Sequence, residues 1–126
     1  MTALHRPLSE LFNELDGYTE RVPLDLLVDR IRNIEVPMEE IRPHMQFGST
    51  TYRRNLMHAG PGYHALILCW RAGQRSPIHD HRGSSCAVRV LVGTAVETRF
   101  ERTADGYVYA TGSRTLHEGE VCGSQD

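Results

Sequence analysis

The stretch GQRSPIHDHRGSSCAVRVLVG, Gly73 to Gly93, decides how the chain is read. His79 and His81 stand one residue apart in a segment that reads as a β-strand. Side chains alternate across a strand, so both imidazoles leave on one face while Ile78 and Asp80 leave on the other. Two nitrogen donors side by side on a stiff strand form half of a metal site. A lone histidine in a strand is usually a tolerated residue. A pair spaced to converge is a different matter.

The flanks read as a scaffold for that pair. Before it, YHALILCW (Tyr63 to Trp70) is a nearly continuous apolar run, too short for an independent helix, and it predicts a strand buried on both faces. STTYRRNLMHA precedes it and favours a strand, with AGPG (Ala59 to Gly62) as the connecting turn. After the pair, Cys86 to Val92 alternates, as does AVETRFE from Ala95. A turn at Asp105-Gly106 introduces YVYATG, the last clear strand. Leu8, Leu11, Phe12 and Leu15 recur at helical spacing with Gly17 as a stop. A second amphipathic helix starts near Pro23, with Leu24, Leu27, Val28 and Ile31 as its apolar stripe. MEEIR, between Pro37 and Pro43, predicts one or two further helical turns. The expected organisation is a helical region over residues 1–46 packed on a β-barrel over 47–126, one structural domain overall.

Composition narrows the function. The 126 residues are 40% hydrophobic and 24% charged, with a net charge of −2. Such a balance fits a globular domain and argues against a nucleic-acid partner. No apolar run is long enough to span a bilayer, and the N-terminus lacks a secretory layout. Three cysteines without regular spacing suggest free thiols in the cytoplasm.

The spacing from Gly73 through His79, His81 and Cys86 to Gly93 resembles the first motif of the cupin superfamily, with Cys86 where glutamate normally stands. That replacement resembles the cysteine dioxygenase type I family, in which cysteine takes the place of the carboxylate and leaves an all-histidine iron site. YRRNL (Tyr52 to Leu56), ALILCW (Ala65 to Trp70), SPIHDH (Ser76 to His81) and ETRF (Glu97 to Phe100) resemble that family in the same order. The resemblance runs from about Gly48 onward. It implies a mainly β fold, a cupin barrel of the double-stranded β-helix or jelly-roll type, with two to three N-terminal helices.

The same resemblance implies Fe(II) as cofactor, held by His79 and His81, and an oxidation of L-cysteine by dioxygen to cysteine sulfinate. Arg54 matches the arginine that anchors the substrate carboxylate, a task suited to its planar fork. Its bland reading is a solvated surface arginine. Tyr52 shares Arg54's strand face and resembles the family's active-site tyrosine; the alternative is a core aromatic. Cys86 is either a small buried apolar residue or, by resemblance, one half of a thioether crosslink to a tyrosine. Tyr107 and Tyr109 do not match that tyrosine's place. Cys69 and Cys122 read as structural, and His5, His44, His58 and His64 as surface residues.

The family's third ligand belongs to a His-x-Val/Leu-x-Asn motif, which this chain lacks. His117 is in the wrong register for it. The third histidine is therefore expected beyond Asp126, and the barrel is expected to be incomplete. Either the chain is part of a longer dioxygenase, or it is a short cupin that completes its site with water or a second subunit, or carries no metal. Self-association would cover an open barrel edge. The alternatives to a cysteine dioxygenase are an enzyme for another small thiol such as 3-mercaptopropionate, and a non-catalytic module that binds metal or a ligand. Glutamine in place of Arg54 and the lack of Cys86 would mark the former, so both residues favour cysteine.

Overall fold

The computed structural model describes residues 6–81 and 83–125. Three short helices come first: α1 (Leu8–Leu15), α2 (Leu24–Arg32) and α3 (Met38–Ile41), with a 3-10 turn at Arg42–His44. Six strands follow: β1 (Arg53–Gly60), β2 (Tyr63–Cys69), β3 (Ser85–Arg89), β4 (Ala95–Arg102), β5 (Val108–Leu116) and β6 (Val121–Gln125). The mainly β architecture with leading helices is the one expected from the sequence.

Helix α1 starts immediately after Pro7, whose fixed φ suits the turn into a helix, and buries Leu8, Leu11 and Leu15. These join Val22, Ile34 and Ile41 with Ile67 and Cys69 of β2 in one apolar core. Each such side chain contributes roughly 1.5–3 kcal/mol when fully withdrawn from water. Helix α2 departs from expectation, because none of its residues is fully buried. Its apolar stripe is shared: Leu27 packs against the apolar core, while Leu24 and Val28 lie across the β3–β6 sheet, where Gly123 makes room for them. A Cβ built at Gly123 would stand 2.7 Å from Cγ2 of Val28 and 3.0 Å from Cδ1 of Leu24. On the same side Arg89 of β3 donates through Nη1 to the carbonyls of Ile31 (3.2 Å) and Ile34 (2.8 Å). A cation thus neutralises the negative C-terminal end of α2.

Among the described residues the six strands pair in twos: β1 with β2, β3 with β6 and β4 with β5, all antiparallel. The result is an open arrangement with free strand edges, in keeping with the incomplete barrel expected above. β2 is not buried on both faces. Only Ile67 and Cys69 are, on the side that meets the helices. β3 ends at Arg89, short of the expected Val92, although Val90 still donates to Glu120 O at 3.1 Å. β6 has no counterpart among the strands expected from sequence. β4 and β5 form a long ribbon whose outer face leaves Val96 68% and Val108 46% exposed.

The segment bearing the histidine pair is not a strand. Pro77 removes a backbone donor in its middle, and Gly73 (φ +85°) and Gly83 (φ +78°) turn the chain at either end. What the sequence suggests as a rung of the sheet is a loop joining β2 to β3.

Candidate metal and substrate site

His79 and His81 remain close although no strand alternation holds them. Their ring centroids are 5.4 Å apart, edge to face. Two imidazoles bound to one metal, each at about 2.1 Å, bring their centroids roughly 4.5–5.5 Å apart. The spacing therefore fits a pair of adjacent ligands. Nδ1 of His79 lies 2.8 Å from the Pro77 carbonyl. A carbonyl can only accept, so Nδ1 carries a proton, which in the neutral ring leaves the Nε2 lone pair for a metal. Ser84 donates to the carbonyl of His81 through both its hydroxyl and its N–H, which folds the loop back before β3. His79 is exposed and His81 half-buried. Among the described residues no three or more His, Cys, Asp or Glu side chains gather closely enough to hold a metal ion. The donor set present is a two-imidazole half-site.

The β1–β2 hairpin carries the candidate substrate residues. Arg53 pairs with Cys69 and Arg54 with Leu68, so the two arginines leave on opposite faces. Asn55 shares Arg53's face. It donates through Nδ2 to Ile67 O (3.2 Å) and to Cys69 Sγ (3.6 Å), on the side of the helical core. Arg54 consequently projects from the face turned away from the helices. Tyr52, just ahead of β1, stacks on Trp70, just after β2, with centroids 4.1 Å apart and planes 8° from parallel. The pair continues the register by which Arg54 faces Leu68, so Tyr52, Arg54 and Trp70 share one face.

Cys86 lies on a different sheet. On the β3–β6 sheet Cys86 pairs with Ser124 and Val88 with Cys122, so these four side chains share the face opposite α2. Burial pushes the Cys86 thiol up, the charge of Arg54 pulls it partly back, and Glu97 adds to the rise. Arg54 and Cys86 therefore lie within electrostatic reach of each other. Burial, with Glu97 beside it, also pushes the Cys122 thiol up. Glu97 itself accepts from Nε of Arg114 at 3.2 Å and Nε of Arg99 at 3.4 Å.

All three cysteines are free, and Cys69 and Cys122 are buried as structural residues would be. His64 is exposed, as expected, and so is His117, whereas His5 lies outside the described residues. His58 is not a plain surface residue. It stacks on Phe12 with centroids 4.4 Å apart, and its Nε2 lies 3.4 Å from Asp16 Oδ1. His44 is half-buried against the same helix, beside Leu8, Phe12 and Met57. Trp70, which the sequence presents only as the end of a strand, stands in the site by virtue of its register with Tyr52. A cleft of about 190 Å³ lies elsewhere, between α1 and α2, lined by Arg6, Glu14, Asp29 and Arg30. Its charged groups pair with one another, Arg30 with Glu14 at 2.8 Å and with Asp29 at 2.6 Å, which leaves little for a ligand to take up.

Known proteins resemble the chain. The family described as cysteine dioxygenase type I matches residues 6–122. Cysteine dioxygenase type 1 of Rattus norvegicus is 41% identical over 59 residues, 46% of this chain and 30% of that protein. The Homo sapiens protein of the same name is 41% identical over 58 residues, covering 45% and 29%. That of Danio rerio is 42% identical over 57 residues, covering 44% and 28%. The matched stretch spans less than a third of the length of these relatives.

Proposed function

Because the chain belongs to the cysteine dioxygenase type I family, we propose that it carries the metal loop and carboxylate clamp of an iron(II) thiol dioxygenase. The substrate is L-cysteine and the product cysteine sulfinate. The observation that carries this reading is the family match over residues 6–122, which takes in Tyr52, Arg54, His79, His81 and Cys86.

His79 and His81 are the residues that hold iron, through nitrogen atoms that are neutral donors. Neutral ligands leave the cation's charge undiminished. Ferrous iron, when bound, supplies a Lewis acid for a thiolate and a source of electrons for dioxygen. The rest falls to the chain. Arg54 receives the substrate carboxylate, with two parallel N–H donors and a delocalised positive charge. Tyr52, held flat against Trp70, fixes the wall beside that carboxylate and offers its hydroxyl as a further donor. Holding the thiol and the carboxylate at two fixed points orients the sulfur and reduces the entropic part of the barrier. The sulfur gains two oxygen atoms and loses four electrons, the number that one dioxygen accepts, so no outside reductant is needed.

A dioxygenase for a small thiol without an amino group, such as 3-mercaptopropionate, is less well supported, because Arg54 and Cys86 are both present. A non-catalytic metal-binding module is the second reading. It is favoured by the two-donor set among the described residues. Anaerobic reconstitution with ferrous iron, followed by oxygen uptake and sulfinate detection with L-cysteine, separates the readings. Equal consumption of cysteine and oxygen supports the dioxygenase. Iron uptake without oxygen consumption supports the module, and turnover of 3-mercaptopropionate alone overturns the choice of substrate.

A further inference from the structure

The histidine loop and the strand bearing Arg54 are separate parts of the chain that must stand at a fixed distance to hold one small substrate. One backbone carbonyl joins them. Gly48 O accepts from Nε of Arg71 at 3.1 Å and from Nε2 of Gln74 at 3.0 Å. The other end of the Gln74 amide is also used, since Oε1 accepts from Arg71 N–H at 2.8 Å. The backbone N–H of Gln74 closes the turn on Arg71 O at 3.1 Å, around Gly73 in its left-handed conformation (φ +85°). The Arg71 guanidinium also lies over the Phe47 ring, 5.6 Å from its centroid.

Gly48 is itself immobilised. A Cβ there would stand 2.2 Å from Thr51 O, so only glycine fits this fold of the backbone. The neighbouring Gln46 carbonyl accepts from Nδ2 of Asn55, at 3.1 Å, which ties the segment to β1. Segment 46–48 is thus riveted to the Arg54 strand on one side and to the root of the histidine loop on the other. Gln74 lies five positions before His79 and Gly48 six before Arg54.

We infer that Gln74 is a positioning residue. Through the Gly48 carbonyl it sets the span between the two imidazoles and Arg54, and so selects thiols that also carry a carboxylate. The inference rests on the metal and clamp roles proposed above. Gln74→Glu separates the two bonds of the side chain: it keeps the acceptor for Arg71 N–H and loses the donor to Gly48 O. Arg71→Lys attacks the other donor to the same carbonyl while retaining the cation near Phe47.

The test uses the full chain loaded anaerobically with cobalt(II), a spectroscopic stand-in for iron. Affinity is read from the cobalt absorption bands for L-cysteine and for cysteamine, which has the thiol and amine without the carboxylate. The expected result is that Gln74→Glu binds cobalt within about threefold of native and cysteamine equally well, while L-cysteine binds at least tenfold more weakly. Arg71→Lys should shift the ratio in the same direction. An unchanged ratio of the two affinities in both variants overturns the inference, as does a parallel loss of both thiols, which would signal general disorder of the loop. A native chain that fails to bind cobalt, or binds both thiols alike, overturns the proposed site and this inference with it.

Discussion

The ring of Tyr52 lies flat on that of Trp70, centroids 4.1 Å apart, on the face of the β1–β2 hairpin from which Arg54 projects. Such a pair contributes roughly 0.5–1.5 kcal/mol beyond the area it buries. Trp70→Leu is expected to lose about that much stability in urea unfolding, and Trp70→Phe less. Trp70 is also the one tryptophan of the chain. L-Cysteine binding should therefore change its fluorescence, and a silent spectrum at saturating cysteine would remove the stack from the site.

Arg54→Ala should raise KM for L-cysteine at least about tenfold, equivalent to about 1.4 kcal/mol, with a smaller effect on kcat. Arg54→Lys should recover only part of this, because an ammonium cannot grip a carboxylate with two parallel donors. Steady-state kinetics with the iron-loaded protein decide it. An unchanged KM in both variants would return Arg54 to the role of a solvated surface residue.

Tyr63 gives the fold a dependence on alkaline pH. Its hydroxyl donates to Asp16 Oδ1 at 2.8 Å and to Phe12 O at 3.3 Å. Burial first, and the Asp16 carboxylate second, hold its ionisation well above the ordinary phenol range. Between the unfolded value of about 10 and the raised folded value, the folded state binds more protons than the unfolded one. The contribution is therefore fully present below about pH 10 and is lost as pH rises further. Tyr63→Phe should cost about 1 kcal/mol at neutral pH and flatten the decline above pH 10, as read from unfolding midpoints at a series of pH values. Identical pH profiles would exclude this linkage.

Gly123→Ala should destabilise the chain by about 1–3 kcal/mol, as overpacking of a close contact does, because Val28 and Leu24 occupy the space a Cβ needs. Gly112→Ala on β5 is the control: nothing lies within 4 Å of its Cβ position. It should be neutral or stabilising by up to about 1 kcal/mol. Equal effects at the two glycines would mean that α2 does not rest on β6.

The legible parts of the fold are those set by local chemistry. Periodicity and Gly17 mark α1, and AGPG marks the turn between β1 and β2. β6 escaped because VCGSQ lacks an alternating pattern and becomes a strand only by pairing with β3. The histidine segment reads as a strand yet is a loop for the opposite reason. Its alternation is genuine, but Pro77 and two glycines at positive φ outweigh it. Of the site, the alternation that separates Arg53 from Arg54 is readable in advance, and β1 follows it. The Gly48 clamp and the stacking of His58 on Phe12 are not, because each joins segments distant in the chain and neither residue type announces its partner.

The nesting of the β4–β5 ribbon between β3 and β6 also orders the acquisition of structure. β1–β2 and β4–β5 are hairpins of neighbouring strands, which form on a scale of about 1–10 μs. The pairing of Cys86 with Ser124 must instead close a loop containing the whole ribbon, and loop entropy is lost before that contact repays it. β3–β6 should thus be late in the transition state, with small φ-values at Val88 and Cys122 and larger ones at Ile67. The loop bearing His79 and His81 runs directly into β3. Its downstream anchor is then among the last contacts made, so the candidate metal half-site matures only as that late pairing forms.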